Sequence, residues 1–572
     1  VTSRDLEFPP AVLREYALIA DGERGALCGP HGDLVWLCAP RWHDDAVFST
    51  LIGGSGCYAV TPIGRYVWGG HYEPDTLIWR NRWVTDANTI VECRDALALP
   101  ADPGRVTVLR RIEAVSGDAR VRVVLDVRAG FGAETMRELR RSDDTWTARS
   151  GPLPVRWDGA VEACVDGEGR LVVEIVVPAG TSHDLVLDIG PGEPIAAHAA
   201  WQATERIWRD QVPALDSSVA QRDARHAYAV LRGLTSKSGG MVAAATMALP
   251  ERAGNGASYD YRYAWVRDQC YAGLAVASDG PHPLLGDALR FVTARLVEDG
   301  PHLNPAYLVS GEAVPDEQEL DLAGYPGGHD ARGNVVTRQF QLDALGEVLQ
   351  LYAAAGRHGM VDADGWAALR IAVDTIERRW REPEAGIWEL DNEWWTHSRL
   401  ACVAGLQAAA DMASAGDARR MRELAEELLA ETSRRCLHRD GYWQRTPDDE
   451  RVDAALLAAA VRGALPGDDP RNRATLEAVR RDLVVDGYTY RFRHDSAPLG
   501  EQEGAFLLCG FLLALAEYQQ GHTVRAFRAF ERSRAACGPP GLLAEEFDVE
   551  QRQLRGNLPQ AFVHAALLES AT

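Results

Sequence analysis

Residues 385–400 read AGIWELDNEWWTHSRL. Trp388, Trp394 and Trp395 stand beside Glu389 and Glu393, with His397 and Arg399 just behind. Indole faces cover the apolar side of a sugar ring, and indole beside a carboxyl group desolvates it, as an acid working near neutrality requires. That makes Glu389 a candidate general acid. A second carboxyl group, Glu545, lies in GLLAEEFD beside Glu546, ahead of the last helical pattern. Glycoside hydrolysis uses such a pair: a protonated acid on the leaving oxygen and a carboxylate across the ring that activates water. With 83 acidic residues in the chain, type alone selects neither residue. Glu545 reads equally as a first-turn helix residue.

SYDYRYAWVRDQC (258–270) adds Tyr261, Tyr263 and Trp265 beside Arg267 and Asp268. Arginine and aspartate offer a bidentate donor and a bidentate acceptor, suited to vicinal hydroxyls. The same pair reads as an ion pair at a helix N-terminus. His397 reads as a helix N-terminal residue with a packing role.

Other chemistries lack their residues. The net charge of −23 comes without a basic stripe, so no nucleic-acid partner is expected. Of 60 basic residues only Lys237 is a lysine, and its context is not a P-loop. Schiff-base chemistry would rest on that single residue. There is no HExxH, and LIGGSGCYA is not GxSxG. The ten cysteines form no CxxC and no metal-ligand spacing, so neither metal nor cofactor is expected. No apolar run approaches the ~20 residues of a membrane span. The start, VTSRDLEFPPAV, shows no basic segment followed by an apolar one, so a cytoplasmic location is expected.

The elements that must position these residues fall into two kinds. Residues 1–195 hold short alternating segments such as RLVVEIVVPAG and RVRVVLDVRAG, the pattern of an antiparallel β-sandwich. The densest stretch there, HGDLVWLCAPRWHDDAVF (31–48) with Trp36, Trp42 and His43, reads as a strand, a turn and core aromatics. A helical linker is expected over 196–235 and the catalytic domain over 236–572. Amphipathic segments recur near 221–235, 268–279, 282–298, 338–356, 363–382, 397–415, 417–436, 452–464, 470–485, 503–519, 521–537 and 558–571. Twelve such helices can close as six hairpins with an inner and an outer ring. EGAFLLCGFLLALAEY (503–518) and LACVAGLQAAADMASA (400–415) are apolar nearly all round, as inner helices should be. The loops before 268, 338, 397, 503 and 558 are long, aromatic and acidic, and would converge at one end of such a barrel. The fold class expected is an N-terminal antiparallel β-sandwich followed by an (α/α)6 barrel.

YAWVRD, QFQLDALGE, GIWE, THSRL, EGAFLLC, LLAEEFD and GNLPQAFVHAAL, in that order, resemble glycoside hydrolase family 15, with its glucoamylase-, glucodextranase- and trehalase-like members. YALIADGERGALCGPHGDLVWLCAPRWHDDAVF resembles the β-sandwich that precedes the catalytic domain in bacterial members. The resemblance implies an (α/α)6 barrel, inversion at the anomeric carbon and release of glucose from non-reducing ends of α-glucosides. It implies Glu389 as general acid and Glu545 as general base. It places Tyr261, Trp265, Arg267 and Asp268 in the subsite for the terminal glucose, with Arg491 of YRF a further sugar-binding arginine. It puts Tyr325 of GYPGG over the site, and makes Trp388 and Glu546 contacts beside the catalytic pair. Two stretches depart from the family pattern, PGGHDARGN after GY and the tandem tryptophans of DNEWWT. Both fall where a leaving-group subsite would lie, so trehalose, maltose-type and isomaltose-type substrates all stay open. A carbohydrate-binding protein without turnover is the alternative of another class. A sugar epimerase on the same barrel would need histidines as its acid–base pair, with His397 and His494 the nearby candidates.

Overall fold

The computed structural model describes residues 8–252, 258–494 and 497–572. Residues 1–7, on which the reading of the chain start rests, lie outside the described residues, as do 495–496 in the loop before 503.

Up to Ile189 the described chain is built of strands in two antiparallel eight-stranded sheets. One runs through Ala17–Ala20, Gly25–Cys28, Asp33–Cys38, Cys57–Pro62, Ala119–Asp126, Leu171–Val177 and Cys164–Val165, with Ala46–Phe48 paired on Asp33–Cys38. The other runs through Met136–Ser142, Thr145–Ser150, Leu153–Asp158, Ser182–Ile189, Val106–Ser116, Ile90–Leu97, Trp79–Thr85 and Tyr66–Tyr72. Alternation sends one set of side chains between the sheets. Val60, Trp83, Val108, Val123, Trp157 and Leu187 belong to the resulting core.

Thirteen α-helices follow among the described residues: α1 (Ala197–Gln211), α2 (Gln221–Leu234), α3 (Val266–Ala277), α4 (Pro283–Asp299), α5 (Leu342–Arg357), α6 (Ala363–Arg379), α7 (Thr396–Ala410), α8 (Ala415–Cys436), α9 (Ala458–Val461), α10 (Pro470–Asp482), α11 (Leu507–Gln519), α12 (Thr523–Arg534) and α13 (Ala561–Ala571). α3 packs on α5, α5 on α7, α7 on α9, α9 on α11, α11 on α13, and α13 back on α3. That closes the inner ring. α4, α6, α8 and α12 pack on the inner helices they follow, and α10 packs on the 3-10 turn Ala454–Leu457 and on α11. α2, which lies in the stretch read as linker and is also the first of the twelve segments expected to close the barrel, packs along α13 and completes the outer ring.

The two rings differ in the way their environments require. α11 is buried along nearly its whole length, and α8 buries one stripe of Ala418, Met421, Leu424, Ala425 and Leu428. α8 begins where the Ser414 hydroxyl accepts from Asp417 N, and α6 where Asp362 accepts from Gly365 N. α5 and α7 cross closely because both carry glycine there. A Cβ on Gly346 would stand 2.4 Å from the Ala401 carbonyl carbon, and one on Gly405 would stand 2.2 Å from Gly346 O.

Several inner helices start later than their sequence pattern suggests. Helix was expected from 503 and 558, but α11 begins at Leu507 and α13 at Ala561. Before α13 the chain bends and bridges Ala244 through Gln560, and before α11 it forms a short strand. Ala505–Phe506 pairs with Glu546–Asp548, which pairs in turn with Gln553–Arg555. Glu545 is thus no first-turn helix residue; it leads into a strand. No helix among the described residues is long and apolar enough to cross a membrane.

Candidate active site

One cavity of about 320 Å³ opens where the N-terminal ends of α3, α7, α11 and α13 meet. This is within the size range of small-molecule sites. Its walls include Tyr261, Trp265, Arg267, Asp268, Trp388, Glu389, Arg491 and Glu545. Eight of the ten residues expected at the site therefore meet there, from positions almost 300 residues apart in the chain. Tyr325 and Glu546 do not line it.

Glu389 sits at the end of a tight turn. Glu389 N donates to Gly386 O at 3.2 Å and Leu390 N to Ala385 O at 2.9 Å. Its φ is +55°, a left-handed backbone that a residue with a Cβ seldom adopts. The turn is held from below by Glu384, whose Oε2 accepts from Gly386 N at 2.8 Å and Leu342 N at 3.2 Å. Glu384 Oε1 meets Arg399 at 2.8 Å in a fully buried ion pair. The Glu389 carboxyl group accepts at Oε1 from Trp265 Nε1 at 2.7 Å and from Arg267 at 3.1 Å. Its side chain keeps 24% exposure. Arg267 is itself fixed by Gln341 at 2.7 Å and Asp343 at 3.6 Å.

Glu545 is nearly closed off, at 5% exposure. The Tyr261 hydroxyl donates to its Oε1 at 3.2 Å, while Oε2 is buried with no hydrogen-bond partner among the described residues. Burial, and then the charge of Glu251, push the Glu545 carboxyl well above the usual range, against the pull of Arg491 and Tyr261. Tyr261 stays a donor because burial and the carboxylates around it push its phenol up in turn. The Tyr261 and Trp265 rings lie edge to face with centroids 5.6 Å apart, so each ring of one aromatic pair holds one glutamate. Asp268 is pushed up to about 7, chiefly by burial and also by Glu389, with Arg267 opposing.

Glu545 stands at the bend that leads into the Glu546–Asp548 strand, and the two neighbouring carboxyl groups part there. Glu546 turns away from the cavity, accepting from Gly504 N at 2.7 Å and lying 3.7 Å behind Arg491. Its expected contact role is corrected to support of Arg491. Tyr325 is corrected as well: its hydroxyl donates to Ala11 O at 3.1 Å, and its ring is buried against the N-terminal segment. Trp388 is set as a wall by Asp453, whose two oxygens accept from its Nε1 at 3.0 and 2.9 Å. Neither His397 nor His494 lines the cavity. Burial and the charges of Arg267 and Arg462 lower His397 to about 3, so it is neutral, facing a small void behind the Glu389 turn. Trp36, Trp42 and His43 also stay outside the cavity.

Sequence reasoning passed over several wall residues. Tyr259, Gln339, Phe506, Gln560 and Phe562 sit inside or beside the quoted motifs, where nothing in their type set them apart. Glu251, in LPER, had no local signal at all. Among the described residues no group of three or more His, Cys, Asp or Glu side chains could hold a metal ion.

A closed ring of six helix pairs that converges two glutamates and a girdle of tyrosine, tryptophan and arginine on one pocket defines a glycoside hydrolase. The chain belongs to glycosyl hydrolases family 15: that family's model matches residues 225–572, and a trehalase-like N-terminal domain matches residues 9–211. It is 30% identical to a trehalase of Mycobacterium tuberculosis over 98% of this chain and 89% of that protein. It is 29% identical to a trehalase of Mycolicibacterium smegmatis over 98% of this chain and 91% of that protein. Among solved structures, a bacterial glucoamylase complexed with acarbose shares the fold, with a TM-score of 0.71, 14% identity and coverage of 99% of this chain and 95% of that one.

The Glu384–Arg399 pair gives a first test of how Glu389 is held. Replacing Glu384 with Ala strands a buried guanidinium and frees Gly386 N. The expected loss is about 3–5 kcal/mol of stability. A fall of roughly 10²-fold in kcat is expected as the Glu389 turn loosens. Denaturant unfolding and steady-state kinetics on the same preparation check both.

Proposed function

We propose that this protein is an inverting, exo-acting α-glucoside hydrolase whose substrate is α,α-trehalose. The observation that carries the reaction is the shared cavity of Glu389 and Glu545, each held by one ring of the Tyr261–Trp265 pair. The trehalases aligned above over 98% of this chain support the choice of substrate.

One glucose ring occupies the pocket of Tyr261, Trp265, Arg267, Asp268 and Arg491, with aromatic faces on its apolar side and the charged groups on its hydroxyls. Glu389 delivers a proton to the glycosidic oxygen as the C1–O bond breaks. A water held at the free oxygen of Glu545 gives that carboxylate a proton and attacks C1 from the opposite face. The new C1–O bond has β configuration. Glu545 ends the step with one proton more and Glu389 with one fewer, and exchange with solvent restores both. Trehalose therefore yields one β-glucose from the attacked ring and one α-glucose from the leaving ring.

Proton NMR of the anomeric signals during the first turnovers tests this. Equal initial β- and α-glucose is the expected result. Initial α-glucose alone would mean retention and would require a carboxylate nucleophile. Hydrolysis of maltose or isomaltose with trehalose untouched would keep the mechanism and overturn the substrate.

A further inference from the structure

Glu251 lines the same cavity as Glu389 and Glu545 and is only 8% exposed. Its Oε2 lies 3.7 Å from Arg491. The same guanidinium nitrogen meets Glu503 at 2.5 Å and Glu546 at 3.7 Å. One guanidinium thus faces three carboxylates, of which Glu503 also has the His494 ring at 3.0 Å. The backbone fixes Glu251 next to Glu545. Gly556 N donates to Pro250 O at 2.9 Å, locking the two segments together. A Cβ on Gly556 would stand 3.3 Å from Glu545 Cβ and 4.0 Å from Glu251 Cγ, and its φ of +77° suits glycine.

We propose that Glu251 is a positioning residue for the reaction: its charge, held beside Glu545 and only partly offset by Arg491, strengthens Glu545 as acceptor of the water proton. This rests on Glu545 being the base. A like charge close by makes protonation of a carboxylate more favourable, and a stronger base removes the water proton more effectively. The groups that face Glu545 are Glu251, Arg491, Tyr261, Asp268 and Glu546. Arg491 and Tyr261 stabilise its charge, while Glu251 and Asp268 oppose it. Glu251 in turn faces Arg491, Glu503, His494 and Glu389; burial raises its own carboxyl, and Arg491 and His494 pull it back toward the charged form.

The test is the pH dependence of kcat/KM for Glu251→Gln on trehalose and on α-glucosyl fluoride. Fluoride leaves without a proton, so that substrate reports the base alone. Activity rises as Glu545 loses its proton. Removing the neighbouring charge lowers the proton affinity of Glu545, so the acid limb moves to lower pH. The plateau falls by about tenfold because the base is weaker. Glu251→Asp, which draws the charge back by one methylene, should lie between the two and gives the same reading should the glutamine variant not fold. Profiles that superimpose on the parent overturn the proposal. So does a loss at every pH as deep as that of Glu545→Gln, which would make Glu251 a reacting group. Glu545→Gln measured alongside separates the layers. Parental activity of that variant on the fluoride removes the base assignment and this proposal together. Its inactivity beside an unchanged Glu251→Gln overturns the proposal alone.

Discussion

Glu545→Gln is expected to lower kcat on trehalose by roughly 10²–10⁴-fold, the range that a positioned acid or base contributes. Glutamine keeps the shape and the bond from Tyr261, which reaches Oε1 at 3.2 Å, but it cannot take a proton from water. The loss should therefore be as large on α-glucosyl fluoride, because attack by water is common to both substrates. Azide attacks without giving up a proton, so it should restore turnover in this variant and form β-glucosyl azide. Glu389→Gln should behave differently. On trehalose it loses a comparable factor, since the leaving sugar must be protonated. On the fluoride it should stay within about tenfold of the parent, because fluoride needs no general acid. Two variants and two substrates thus assign both roles. Rates of Glu545→Gln within tenfold of the parent on both substrates would remove it from the mechanism.

The second large effect is expected at Arg262, which does not line the cavity. Its guanidinium is buried between the two domains. On one side it grips Asp260 through Nε at 2.9 Å and a terminal nitrogen at 2.7 Å. On the other it donates to Asp44 O at 2.9 Å and Trp42 O at 3.2 Å, in the turn that sequence analysis marked as dense in aromatics. Asp260 also accepts from the Tyr263 hydroxyl and from Gly333 N, each at 3.0 Å. Arg262 is the neighbour of Tyr261 and lies on the loop that leads to Trp265 and Arg267. Arg262→Met would leave a buried carboxylate without its cation and two sandwich carbonyls without a donor. About 3–5 kcal/mol of stability should be lost. kcat/KM should fall by roughly 10²-fold, because a displacement of about 1 Å in Tyr261 and Trp265 misplaces both glutamates. Asp260→Asn added to Arg262→Met should recover part of the stability, since the stranded charge is then gone. Thermal unfolding and kinetics on the three proteins check this. An Arg262→Met enzyme with parental kcat/KM would mean that the sandwich does not set the loop.

The sequence alone was most informative where a physical signal is local. Alternation in RVRVVLDVRAG can bury only one face, so strands were legible. All-round apolarity in the segments of α11 and α7 marked them as inner helices, because burial on two sides excludes charge. Glu389 and Glu545 became candidates through motifs of a few residues each. The same local reading placed helix over the residues just before α11 and α13. Before α11 the chain is paired as a strand, Ala505–Phe506 on Glu546–Asp548, and before α13 it bends and bridges Ala244 through Gln560, neither of which a short-range pattern encodes.

Which side chains share the cavity depends on long-range packing. Tyr325 carries the right chemistry, but its hydroxyl is spent on Ala11 O. Glu546 has the same type as Glu545, yet as the first residue of the strand it turns to Gly504 and Arg491. Glu251 had nothing around it in sequence to distinguish it from 82 other acids, and it acquires meaning only beside Arg491 and Glu545. Arg262 likewise looks like one arginine among many until the sandwich closes over it. Sequence by itself thus determined the elements, the family and the type of chemistry, which depend on residue identity and short-range spacing. The distances that tune that chemistry are contacts between segments hundreds of residues apart, and only the closing of the inner ring sets them.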